Sequence, residues 1–215
     1  MFLLCGIFLD SHPLIINFQF FIRTNLQHLQ EIEIPKLIKY IKKHVLLKMG
    51  ITVPRISTRG YYDLSTGKTL KTNSYFLYPK KSFDNLSSSK EVTIMIHGLR
   101  NDNAGAIAKV VLAKNRLKKL GYSHPVIGYS YDSNTTGAHL LKHAKHSLAV
   151  GQIIAKKNGQ NLGKFIEDFK IKNPKIKIRL IGHSLGSQVI LSTVEYLSKK
   201  KQNKGIIESI YFFGA

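Results

Sequence analysis

The chain has 215 residues, enough for one domain with a sizeable core. Its 43% hydrophobic content excludes a disordered chain, and its one cysteine, Cys5, excludes an internal disulfide and fits a reducing, cytoplasmic setting. The formal net charge of +21 comes mainly from lysines spread along the whole chain, with no nucleic-acid-binding motif, so it reads as a solvated surface whose alternative is attraction to an anionic membrane or nucleic acid.

Met1 to Leu9 and Leu14 to Ile22 are apolar, but neither a positive n-region nor a small-residue cleavage site marks a secretory signal. A single membrane span would have to bury Asp10, His12, Pro13 and Asn17. The aspartate alone costs about 2.5–3.5 kcal/mol at the bilayer centre. The stretch therefore reads as a buried or poorly ordered extension, and Met49 directly precedes the better-patterned region. Glu33 to Lys48 fits a helix, with Pro35 in its first turn and Gly50 after its end. Leu37, Ile38, Tyr40, Ile41 and Val45 form its apolar stripe, and lysines take the other side. Such a helix covers a core or pocket, or lies on a membrane surface. Residues 1–50 are thus an N-terminal extension, expected to be dispensable for the sheet, and residues 51–215 are the α/β domain.

Ile51 to Tyr62 and Ser74 to Tyr78 predict the first two strands, with Asp63 to Gly67 as the turn between them. Lys80 to Lys90, with its serine run, reads as a polar loop, and Val92 to Ile96 as a central strand. His97-Gly98-Leu99-Arg100-Asn101-Asp102-Asn103 follows. Gly98 lets the chain turn there, and Asp102 or Asn103 can cap the next helix. That helix has the stripe Ile107, Val111, Leu112 and Leu117, and Gly121 ends it. Pro125 to Tyr131 predicts another strand. Open α/β sheets bind ligands at strand C-termini, so Tyr131-Asp132-Ser133-Asn134 should line a site. Asp132 either contacts substrate or caps the helix after it.

From Gly137 to Lys172 the pattern is helical, with an interruption suggested at Asn158-Gly159. His139, His143 and His146 fall at i, i+4 and i+7, which would put them on one helix face. No carboxylate sits at helical spacing beside them, so no metal site is assigned and a solvated face is expected.

Lys175 to Leu197 is the most informative stretch. Ile176, Ile178, Leu180 and Ile181 suit a buried strand, and Gly182-His183-Ser184-Leu185-Gly186 fits G-x-S-x-G. Val189, Ile190, Thr193, Tyr196 and Leu197 then recur at helical spacing. A serine between strand and helix is held in a strained turn with its hydroxyl exposed. Gly182 and Gly186 remove Cβ atoms that would collide as strand and helix cross, and the unpaired N–H groups opening the helix face developing negative charge. Lys199 to Lys204 places cations at that helix's end, and Ile206 to Phe213 predicts a last strand, apolar on both faces.

In this setting GHSLG resembles the nucleophile elbow of the α/β-hydrolase superfamily, in the form common among lipases and esterases. Val92 to Gly98 resembles that superfamily's third strand running into its oxyanion turn. The resemblance spans about Tyr75 to Ala215. It implies an α/β-hydrolase core, a mostly parallel sheet with helices on both faces, lacking its C-terminal strands.

The implied activity is that of a serine hydrolase acting on an ester, thioester or similar acyl bond of a small-molecule or lipid substrate, with no cofactor. Ser184 would be the nucleophile, and the backbone N–H groups of Leu185 and Leu99 the oxyanion hole. His97, Gly98, Gly182, His183 and Gly186 would support them, with Arg100, Tyr131 and Asp132 near the substrate. The resemblance gives His97 the role of shaping the oxyanion turn, not of a general base. After Ser184 the sequence has Glu195 and Glu208 and no histidine. The resemblance places the catalytic acid and histidine beyond Ala215, so this chain is expected to turn over esters poorly. The alternatives are a binding scaffold that keeps the fold without activity, or a basic module for membrane or nucleic acid.

Overall fold

The computed structural model describes residues 53–72 and 74–214. The apolar segments before Ile22, the helix expected over Glu33 to Lys48 and the boundary near residue 50 lie outside the described residues. Val92, Ile94 and Ile96 alternate with Thr93 and Met95 along a strand buried on both faces, Glu91–Ile96, here β3. That two-sided burial is why its sequence is almost continuously apolar. Around it lie β1 (Arg55–Ser57), β2 (Phe76–Tyr78), β4 (Val126–Ser130), β5 (Lys177–His183) and β6 (Ser209–Phe213). The order across the sheet is β2-β1-β4-β3-β5-β6. Only β1 and β2 pair antiparallel, and all other neighbours are parallel.

Three long helices connect the parallel strands: α1 (Asn103–Lys119), α2 (Ala144–Lys172) and α3 (Gly186–Ser198). Ile94, Ile96, Ile127, Tyr129, Ile178 and Leu180 point to one face, where Ile154, Leu162 and Ile166 of α2 and Val189 and Ile190 of α3 cover them. Met95, Val126 and Ile181 point to the other, against Val110 of α1. This is the mostly parallel, two-faced α/β-hydrolase architecture that the sequence implied. Among the described residues no helix is long and apolar enough to cross a membrane.

Several local expectations change. The first two strands are only three residues each; after β1 the chain leaves the sheet as Tyr61 and Tyr62 bury their rings in the larger core. Lys80 to Lys90 is not an open loop. A helical turn at Lys81–Asp84 and a 3₁₀ turn at Asn85–Ser88 form there, and they bury Leu86. The buried face of α1 is set by Ala106 and Val110, and Leu112 is exposed. The sheet decides this rotation: a Cβ at Gly128 of β4 would stand 2.6 Å from Val110 Cγ2, so Val110 fills the place a side chain would take.

The interruption expected at Asn158-Gly159 does not occur, and α2 runs unbroken for 29 residues. Both residues face inward. Asn158 Oδ1 accepts from Thr58 Oγ1 at 2.6 Å and Tyr129 O–H at 2.8 Å, and its Nδ2 donates to the Ile154 carbonyl. Gly159 lies against Ser192 of α3, and Gly163 against the Tyr196 ring. Gly137 to Leu140 is a turn rather than helix, and Leu141–His143 is a 3₁₀ turn, so His139, His143 and His146 do not share a helix face. His139 instead pairs with Asn134 and His146 with the Ser65 carbonyl. Among the described residues no group of His, Cys, Asp and Glu is placed to hold a metal ion. The last strand, β6, is an edge strand with Ile210, Tyr211, Phe212 and Phe213 all exposed.

Candidate active site

Strand β5 ends at His183, helix α3 begins at Gly186, and Ser184 between them has φ +50°. A non-glycine residue in this region is strained, which is the backbone form expected of a serine displayed on a sharp turn. Ser184 is half-buried, and its own N–H donates to the Phe213 carbonyl at 2.8 Å, so strand β6 fixes the turn. The crossing is tight. A Cβ at Gly186 would lie 2.5 Å from the Ile96 carbonyl oxygen, and one at Gly182 would lie 2.9 Å from the Ser187 nitrogen. Neither position has room for any side chain.

The turn after β3 closes over the serine from the other side. A Cβ at Gly98 would meet the His183 carbonyl oxygen at 2.9 Å and Ser184 Cβ at 3.0 Å. The next residue, Leu99, therefore borders Ser184. Neither the Leu99 nor the Leu185 N–H donates to a backbone carbonyl among the described residues. Their side chains converge on one point of α2. A Cβ at Gly151 would lie 2.7 Å from Leu99 Cδ1 and 3.1 Å from Leu185 Cδ2. The missing side chain at Gly151 lets the two residues that flank the serine approach one another.

His97 is fully buried, with its ring stacked on that of Tyr131 at a centroid distance of 4.6 Å. Its Nε2 lies 3.3 Å from both Arg59 Nη2 and the Tyr131 nitrogen, and its Nδ1 lies 3.0 Å from the Gly98 carbonyl oxygen. Burial, reinforced by the Arg59 charge, pushes its pKa down to about 3. The imidazole stays neutral at ordinary pH. His183 carries a buried Nδ1 with no hydrogen-bond partner among the described residues, and burial, with Lys109 adding to it, lowers its pKa.

The residues expected near substrate separate. Arg100 is exposed, with φ +64°, and its N–H donates to the Ser133 carbonyl. Tyr131 and Asp132 are buried, and Asp132 caps no helix. Asp132 Oδ1 accepts from the Gly60 N–H, and Oδ2 accepts from those of Tyr61 and Tyr62, at 3.0–3.1 Å. Its carboxylate thus anchors the segment after β1 rather than facing an open cleft. The helix cap is Asp102, which accepts from the Gly105 N–H at 2.7 Å.

Neither candidate acid approaches the serine. Glu195 is exposed on α3, and Glu208 pairs with Lys177 at 2.9 Å. Lys177 opens β5 and His183 closes it, so Glu208 lies on the order of 20 Å from the turn at about 3.3 Å per residue. A cavity of about 730 Å³ lies between the C-terminal half of α3 and β6, lined by Val194, Leu197, Ile206, Ile207 and Ile210, and Ser184 is not part of it.

Sequence reasoning missed Arg59 and Gly151 and gave Asn101 and Ser133 no role of their own within the segments it named. Asn101 sits inside the turn already singled out, and its Nδ2 donates to the Gly98 and Leu99 carbonyls at 2.9 Å. Ser133 adds a hydroxyl that donates to the Asn101 carbonyl. Nothing in the local sequence marks Arg59 or Gly151, whose partners are remote in the chain.

A family model described as an alpha/beta hydrolase of unknown function (DUF900) matches residues 80–214. No curated protein and no solved structure matches the chain.

Proposed function

This chain belongs to the alpha/beta hydrolase family DUF900, and on that premise we propose that it is a serine hydrolase that cleaves an ester or similar acyl bond with Ser184 as nucleophile. The observation that carries the proposal is the positive-φ serine with Gly98 pressed against it and, among the described residues, two neighbouring N–H groups that donate to no backbone carbonyl. In the proposed step, Ser184 Oγ attacks the acyl carbon, and the Leu185 and Leu99 N–H groups receive the negative charge that forms on the carbonyl oxygen. The base takes the Ser184 proton and passes it to the leaving oxygen as the bond to the acyl carbon breaks, giving an acyl-serine; water then adds to the acyl carbon, its proton returns to Ser184 Oγ, and the acid is released.

The base is not His97. Its Nε2 lone pair already faces two donors, and the ring is walled in by Tyr131. The proposed base is a histidine after Ser184, as the resemblance implies. An apolar acyl group is favoured by the approach to the site along α2. Leu148 is exposed one turn before Gly151, and Leu141, 92% exposed, lies in the 3₁₀ turn that leads into α2. Lys142 and Lys145 flank these leucines, a pattern compatible with a lipid substrate presented on an anionic surface.

One observation favours a scaffold that keeps the elbow without activity: among the described residues His97, beside the turn, is fully buried and engaged through both ring nitrogens. One experiment separates the readings. Aryl-ester cleavage is followed with imidazole added to the buffer as an external base, with the Ser184→Ala protein as blank. The hydrolase reading expects an imidazole-dependent rate above that blank and an acyl adduct on the Ser184 peptide by mass spectrometry. Equal rates in both proteins and no adduct would leave the scaffold.

A further inference from the structure

Arg59 follows β1, outside every motif of the elbow, yet its guanidinium lies beneath the turn that carries Leu99. Nη1 and Nη2 both donate to the Asn101 carbonyl at 3.0 Å, Nη2 also donates to the Asp102 carbonyl at 3.0 Å, and Nε donates to Ser130 Oγ at 2.9 Å. Nη2 additionally stands 3.3 Å from His97 Nε2. The segment behind Arg59 is held in turn by Asp132, which takes the N–H groups of Gly60, Tyr61 and Tyr62.

These contacts decide where the proton of His97 resides. A guanidinium and a backbone amide can only donate. His97 Nε2 faces one of each, Arg59 and the Tyr131 N–H, so it must be the bare, accepting nitrogen. The proton is therefore on Nδ1, 3.0 Å from the Gly98 carbonyl oxygen, to which it donates. Asn101 Nδ2 donates to the same oxygen at 2.9 Å. In a planar trans peptide the carbonyl and the following N–H point in opposite directions. Pinning the Gly98 oxygen inward thus turns the Leu99 N–H outward.

We infer that Arg59 is a positioning residue that sets the direction of the Leu99 N–H by fixing the His97 tautomer and holding the Asn101 and Asp102 carbonyls. The inference rests on the proposed role of Leu99 as an oxyanion donor for its catalytic consequence, and on the hydrogen bonds alone for its structural one. Arg59 touches no reacting atom. Loss of its planar fork removes one of the two donors that hold Nε2 bare and leaves the Tyr131 N–H alone against the Nε2–H form, any population of which removes one of the two donors on the Gly98 oxygen.

The test uses the 215-residue protein and its Arg59→Lys and Arg59→Met variants. Nitrogen-15 NMR of the histidine ring reads the tautomer of His97, identified by its loss in His97→Gln. The starting protein should show the Nδ1–H form, Arg59→Met a population of the Nε2–H form, and Arg59→Lys an intermediate state. The Ser184-dependent, imidazole-supported rate should fall about 10–10²-fold in kcat for Arg59→Met, with KM nearly unchanged, as for a misplaced donor. An arginine that only stabilises the fold would lower the melting temperature while leaving tautomer and kcat alone, and that outcome overturns the inference. An Nε2–H histidine in the starting protein overturns it as well. If Arg59→Met does not fold, Arg59→Lys carries the comparison. If no Ser184-dependent rate exists, the proposed function fails while the tautomer still decides whether Arg59 fixes the turn.

Discussion

Gly159→Ala sets two known effects against each other, and the structure says which one wins. In an isolated helix alanine is better than glycine by about 0.8–1.0 kcal/mol, so propensity alone predicts a more stable protein. Gly159, however, faces α3, and an added Cβ would lie 2.4 Å from Ser192 Cβ, 2.5 Å from the Ser192 carbonyl carbon and 2.8 Å from its oxygen. Carbon atoms pack at about 3.5–4.0 Å, so the helices must separate by roughly 1 Å along their contact. Two of the three obstructing atoms are backbone, and no rotamer change removes them. Overpacking of this kind costs typically about 1–3 kcal/mol and occasionally more, and loosening the Gly163–Tyr196 contact one turn away adds to it. The net expectation is a loss of about 1–2 kcal/mol, or ~2–8 °C in melting temperature for a domain of this size. Urea and thermal unfolding of Gly159→Ala, with Ser192→Gly,Gly159→Ala beside it, measure the change. The double variant should recover little, because the Ser192 carbonyl remains. A Gly159→Ala protein as stable as its parent would refute the close α2–α3 contact.

Gly151→Ala should act on chemistry more than on stability. Its Cβ crowds the flexible ends of Leu99 and Leu185 and meets Thr135 Cγ2 at an ordinary 3.9 Å, so the melting temperature should move by a few degrees while the Ser184-dependent rate falls about tenfold. Glu91, held by Arg179 at 2.7 Å, has its pKa lowered chiefly by that hydrogen bond. A depressed carboxyl pKa means the stabilisation is complete above the ordinary value near 4.5 and fades as pH falls through the folded value, so Glu91→Gln should destabilise at pH 7 and the difference from its parent should shrink steadily as pH is lowered below 4.5 in urea titrations. Among the described residues strand β6 presents Tyr211, Phe212 and Phe213 to solvent at one side of the sheet; the 215-residue protein is expected to self-associate there and Phe212→Lys to reduce it in analytical ultracentrifugation, and a monomeric parent would refute this.

The parts of the fold that could be read from sequence are those decided within a few residues. Val92 to Ile96 and Lys175 to Leu197 are legible because a two-sided strand, a glycine-flanked turn and a helix each write a local pattern. The structure gives them back as β3, β5 and α3 almost residue for residue. The stripe of α1 held in part: Val111 and Leu117 pack against the core, while Leu112 is exposed and the deepest positions are Ala106 and Val110, the latter seated where Gly128 across the sheet lacks a side chain. Asn158-Gly159 misled for a related reason. Asparagine and glycine locally favour turns, but here one satisfies Thr58 and Tyr129 and the other admits a second helix.

The same distinction separates the elbow from what holds it. Ser184 and its glycines are adjacent in the chain, so their spacing alone suggests the turn. The orientation of the Leu99 N–H depends instead on Arg59, 38 residues before His97, and the approach of Leu99 to Leu185 depends on Gly151 of another helix. Neither contact leaves a period or a motif, since one guanidinium or one missing Cβ serves wherever the sheet brings it. Asp132 shows the cost of reading position without partners. Its place at the C-terminal end of β4 is where an open sheet puts a ligand, but three N–H groups from the turn after β1 occupy its carboxylate first. A buried carboxylate with three donors has little capacity left for substrate, so its contribution reaches Ser184 only through the Arg59 segment it fixes.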